Sequence, residues 1–200
     1  MRYLSAIALA LVAVTLMSCQ KKQESPKVDM AVSTEIKLDG TPTTVAGVTF
    51  TPPSTWKDLG PSGMRKADYT FGPIEGESDS ATLSVFYFGQ GMGGDVESNI
   101  ERWIGQMSLP DGTDPHRAAG QSQFKVDDMA VHWMQLSGTY ASGGMMGSPA
   151  VPKPNYVMAA AVLEAPEGNL FFKLTGPQKS AAAMIEGFKA MIMAAKKSGM

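Results

Sequence analysis

The chain is poor in the residues on which covalent and metal chemistry usually rest. It has one cysteine and two histidines in 200 residues. No disulfide can therefore close within it, and the fold has to rely on its core. The histidines, His116 and His132, stand in no H-x-H, H-x-x-x-H or H-E-x-x-H spacing, so neither has a metal-binding neighbour in sequence. Ser18, Ser54 and Ser98 lie in no G-x-S-x-G elbow, which leaves serine-hydrolase chemistry without support. Charge of one sign is also missing: 17 Lys and Arg face 19 Asp and Glu. Such a balance exerts no long-range pull on nucleic acid or anionic lipid. No apolar run reaches the roughly 20 residues that span about 30 Å of hydrocarbon.

The apolar run that is present begins after Arg2 and continues uncharged from Tyr3 to Met17. Its length and position are those of a secretory signal. It ends in Leu16-Met17-Ser18-Cys19, which resembles the bacterial lipobox. That resemblance implies cleavage before Cys19, diacylation of its sulfur and acylation of the new amino terminus. Two or three acyl chains anchor stably where one would be marginal. Gln20, where enterobacterial lipoproteins carry aspartate for inner-membrane retention, favours the outer membrane facing the periplasm. Loss of residues 1–18 removes Arg2 and no acid, so the basic count falls to 16 against 19. Residues 19–46 then read as the lipidated cysteine and a polar tether with Pro26, Gly40 and Pro42, reaching on the order of 30 Å as a flexible coil.

Residues 47–200 read as a single domain. Gly47–Thr51 is a short strand stopped by Pro52-Pro53, and Met64–Phe71 a second. Ala81–Phe88 places Leu83, Val85 and Tyr87 on one face and Phe86 and Phe88 on the other, as a central strand covered on both sides does. Asp95 can N-cap a helix whose stripe is Val96, Ile100, Trp103, Ile104 and Met107. Four strands follow: Ser122–Val126, Ala130–Tyr140, Tyr156–Glu164 and Leu170–Thr175. Met184, Ile185, Phe188, Met191 and Ile192 form the apolar face of a closing helix, with Pro177 near its first turn. Lys196 and Lys197 suit its C-terminal dipole. The expected fold is α+β, an antiparallel β-sheet of about six to seven strands with two amphipathic helices packed on it.

The segments GVTFTPPSTW, MRKADYTF, ATLSVFYFGQG, NIERWIGQM and FFKLTGP…FKAMI resemble the PsbP/Mog-type fold. That group includes the photosystem II extrinsic protein PsbP and nuclear Ran-binding proteins. The resemblance covers most of residues 47–197 and implies action by binding other proteins, with no enzymatic role and no cofactor. It carries over no functional residue.

Three local features remain as candidate sites. Gly89-Gln90-Gly91-Met92-Gly93-Gly94 is a literal G-x-G-x-x-G between a strand and a helix, where backbone amides can approach a phosphate. In an antiparallel setting it reads first as a glycine-rich connection, with small-ligand or anion binding as an alternative. The 15 methionines include Met145-Met146 in a Gly/Pro loop. Thioethers select Cu(I), which makes a copper-binding envelope lipoprotein an alternative reading, although no M-x-x-M repeat is present and most other methionines read as core filler. Gly91, Met92, Met145 and Met146 are therefore read as a contact surface for a protein partner. Glu75, Glu77 and Asp79 have the spacing of a carboxylate cluster but not that of an EF-hand loop, and read as a solvated loop.

Overall fold

A computed structural model describes residues 36–141 and 150–199. The chain divides into Met1–Thr34 and Glu35–Met200, and every described residue belongs to the second unit. Cys19, Met145 and Met146 lie outside the described residues.

A short sheet opens the unit. Strand β1 (Thr43–Val45) pairs with β2 (Val48–Phe50) across a turn in which Ala46 and Gly47 have positive φ. Residues 36–46, expected in the tether, thus belong to the fold: β1 is a strand, and the Gly40 amide bonds to the Pro52 carbonyl at 2.9 Å. The third strand of this sheet, β11 (Lys196–Lys197), comes from the far end of the chain and pairs antiparallel with β2. This corrects the expectation that these lysines end a helix. Strand pairing uses the backbone, so Lys196 and Lys197 keep exposed side chains while their peptide groups bind Thr49 and Val48.

The large sheet has eight strands: β3 (Lys57–Asp58), β4 (Arg65–Phe71), β5 (Ala81–Phe86), β6 (Met107–Ser108), β7 (Gly120–Val126), β8 (Met129–Tyr140), β9 (Lys153–Ala165) and β10 (Gly168–Pro177). Its order is β3-β4-β5-β10-β9-β8-β6, with β7 also on β8, and every pairing is antiparallel. The helices are α1 (Val96–Ile104), the single turn α2 (Pro115–Ala118) and α3 (Gln178–Met193). The expected α+β class with an antiparallel sheet is the one observed.

Side-chain alternation divides the sheet between two helices. Leu83 and Val85 of β5, Ala159, Ala161 and Leu163 of β9, and Phe172 and Leu174 of β10 face α3 and pack with Met184, Phe188, Met191 and Ile192. Phe188 closes this core against Trp133, with ring centroids 4.8 Å apart. On the other face, Met134, Met158, Ala160, Val162 and Phe171 pack under Ile100, Trp103 and Ile104 of α1. Ala159-Ala160-Ala161 in β9 keeps the middle of the sheet thin enough for a helix on either side.

Asp95 caps α1 as expected: its carboxylate accepts from the Ser98 amide at 2.8 Å and the Ser98 hydroxyl at 2.8 Å. Met107, expected on the helical stripe, instead lies in β6 opposite Tyr140, because the helix stops at Gly105. Helix α3 has Pro177 at its N-cap position and no side-chain cap of its own. Glu77 supplies it from a distant loop, accepting from the Lys179 amide at 2.6 Å, the Ser180 amide at 2.9 Å and the Ser180 hydroxyl at 2.6 Å.

Candidate functional site

Helix α1 covers only part of its face of the sheet. Beyond it the register sets two rows of small or charged side chains next to each other. Asp68 of β4, Ser84 of β5 and Lys173 of β10 form one row, and Thr70, Thr82 and Thr175 the next. Ser84, Lys173, Thr70, Thr82 and Thr175 are all half-buried, and Asp68 is buried. The result is a polar trough on β4, β5 and β10, whose opposite face carries Leu83, Val85, Phe172 and Leu174 into the core.

Lys173 occupies its centre. Its ammonium donates to Gln106 Oε1, just past α1, and to Tyr140 Oη at 3.3 Å, and lies 5.2 Å from the centroid of the Tyr140 ring. Burial pulls its pKa down to about 8, and the charge of Arg102 acts in the same direction. Arg102 is in the last turn of α1, and Gln106 follows the Gly105 that ends it.

The carboxylates around the trough are already engaged. Asp68 accepts from Ser84 Oγ at 2.6 Å and pairs with Arg65 at 3.0 Å. Asp79 accepts from the Tyr156 hydroxyl and from Lys153 Nζ at 2.8 Å, and these contacts, Lys153 foremost, hold its carboxyl below the usual range. Tyr156 stacks on Tyr140 with centroids 6.0 Å apart and planes 7° from parallel. Among the described residues, no carboxylate lies within 4.0 Å of Lys173 or Arg102.

At the opposite end of the same face stands the glycine turn. Phe88 lies against Phe86 and Phe171 with centroids 6.2 Å and 5.7 Å apart. The Met92 amide closes a turn onto the Gly89 carbonyl at 3.1 Å. Gly93 has φ +90°, and a Cβ there would meet the Phe171 and Phe88 rings at 2.7 Å, so only glycine fits. The turn holds Phe88 40% exposed and Met92 62% exposed, with Gly91 beside them. The phosphate alternative loses its ground here. The α1 N-terminus is occupied by the Asp95 carboxylate, which the Ser98 amide and hydroxyl keep below the ordinary range, and β5 runs antiparallel to both neighbours.

The other candidates separate. His116 Nδ1 lies 2.9 Å from Glu101 and His132 Nε2 lies 2.7 Å from Glu164, so each histidine has a carboxylate partner. The two pairs sit on different elements, and among the described residues neither imidazole bonds to a polar side chain beyond its carboxylate. Glu75, Glu77 and Asp79 diverge: Glu77 turns to α3 and Asp79 to Lys153. Among the described residues no group of three His, Cys, Asp or Glu side chains converges as metal ligands. The trough escaped the sequence reading. Its one visible signal is Lys173 itself, a charge set in the apolar strand Leu170-Phe171-Phe172-Lys173-Leu174.

No protein-family model and no curated protein matches the chain. Several solved structures are similar to it, two of them as follows. One is LpqN, involved in cell envelope biogenesis of Mycobacterium tuberculosis, at 12% identity, covering 79% of this chain and 84% of that one with a TM-score of 0.44. The other is the cyanobacterial PsbP (CyanoP) of Synechocystis, at 11% identity, covering 84% and 98% with a TM-score of 0.46. With both TM-scores below 0.5, neither likeness carries an argument about what this chain does.

Proposed function

We propose that this protein is an extracytoplasmic binding module, anchored through lipid on Cys19 in the outer membrane facing the periplasm, and that it acts on a protein partner without covalent chemistry. The observation that carries this reading is the glycine turn. A large aromatic and a thioether, Phe88 and Met92, are presented to solvent by a turn whose Gly93 packs so closely on the Phe171 and Phe88 rings that no side chain fits there. Apolar side chains fixed in this way lose little entropy on contact and suit the centre of a protein interface. Met145 and Met146, read from sequence as part of the same surface, extend the proposal to the loop that carries them. Cross-linking in native cells followed by mass spectrometry tests it. A partner joined to the unmodified protein and lost in Met92→Asp is the expected result. An unchanged set of cross-links in the variant contradicts it.

A further inference from the structure

A second site is built into the polar trough, away from the glycine turn. The geometry points to a small anionic ligand, bound through a carboxylate or phosphate group over Lys173, with Arg102 as a second cation and the Thr82 and Thr175 hydroxyls along its floor. Four observations carry this.

Lys173 is half-buried, yet both of its partners, Gln106 and Tyr140, are neutral. A buried ammonium normally faces a carboxylate, because removing a charge from water without compensation is costly. The two acids near enough by register or loop position to serve, Asp68 and Asp79, are each committed to another cation, Arg65 and Lys153. Arg102, which bonds through its guanidinium to the Asn99 side chain at 2.6 Å, adds positive potential and brings no acid with it. Two neighbouring cations with no carboxylate partner among the described residues leave a positive field in which an oxyanion would be held by charge-assisted hydrogen bonds. The depressed pKa of Lys173 accords with this: burial disfavours its charge and the charge of Arg102 adds to the effect, so an anion placed over it would move the pKa back upward.

The assignment stands apart from the protein contact at Met92, and either can fail without the other. The test is NMR on the full-length protein in detergent with isotope-labelled lysine, threonine and tyrosine, titrated separately with succinate and with inorganic phosphate into the millimolar range, against chloride at matched ionic strength. The expected result is a saturable shift of the Lys173 Cε resonance and a rise in its pKa with at least one of the two anions. Which of them acts tells a carboxylate site from a phosphate site. Arg102→Gln should weaken the response several-fold. In Lys173→Met, which keeps chain length and removes the charge, the response at the neighbouring Thr175 and Tyr140 resonances should vanish. Failure of both anions to shift Lys173, an equal effect from chloride, or an unchanged response in Lys173→Met would each overturn the assignment.

Discussion

Replacing Lys173 by methionine should make the protein more stable at neutral pH, an unusual outcome for a substitution on a central strand. The folded protein lowers the Lys173 pKa from 10.5 to about 8. At about 1.36 kcal/mol for each tenfold change in proton affinity, the fold disfavours the charged side chain by about 3 kcal/mol. Against this, methionine gives up the hydrogen bonds to Gln106 and Tyr140, each worth about 1 kcal/mol, although both partners are half-buried and within reach of water. The net gain is about 1–2 kcal/mol, or about 2–8 °C in Tm for a unit of this size. The sign with pH follows from linkage. Between pH 8 and 10.5 the unfolded chain still holds the proton that the folded chain has released, so wild-type stability rises with pH across that window. The advantage of Lys173→Met should therefore be full below pH 8 and gone above pH 10.5. Urea denaturation of both proteins at neutral and alkaline pH measures it. A variant less stable than wild type at pH 7 would refute the reasoning, because it would mean that the ammonium is already compensated in the fold.

Three further outcomes are expected. Gly93→Ala should lower stability by about 1–3 kcal/mol in thermal denaturation, since it combines a positive φ with a side chain driven into the Phe171 and Phe88 rings. Glu77 should show in the acid limb of the stability curve. Partial burial alone would raise its carboxyl, but the hydrogen bonds from the Ser180 hydroxyl and the Lys179 and Ser180 amides overcome this and hold it below the ordinary 4.5. Its contribution is then present above pH 4.5 and lost as pH falls through the lowered folded value, so Glu77→Gln should flatten acid unfolding. Cys19→Ala should move the protein from the membrane fraction to the soluble one, as read by fractionation and intact mass.

Much of the fold could be read directly from residue order. The alternation of Leu83, Val85 and Phe86 marked an internal strand, and Asp95 ahead of an Ile100-Trp103-Ile104 stripe marked a capped helix, because both signals are carried by side chains. The errors fall where the determinant is backbone. Strand β11 is two residues long and is made by main-chain pairing with β2, so nothing in Lys196-Lys197 distinguishes it from a helix terminus. Met107 kept helical spacing, but a break at Gly105 turned it into a strand. The cap of α3 could not be seen locally, since Glu77 lies a hundred residues before the helix it completes. For the candidate sites, the glycine turn was visible as a motif and its close packing was not: that comes from Phe171, which β10 brings against Gly93. The trough depends on the register of β4, β5 and β10, which puts Asp68, Ser84 and Lys173 in line although they are far apart in sequence.

The claim that this chain presents a protein-contact surface at the glycine turn is tested most directly by site-specific photo-cross-linking in native cells. One reactive residue would replace Met92 on the turn, and another would replace Lys189 on α3, across the sheet from it. A discrete partner adduct from position 92 and none from position 189 is the predicted result. The same adducts from both positions, or none from position 92, would contradict the account.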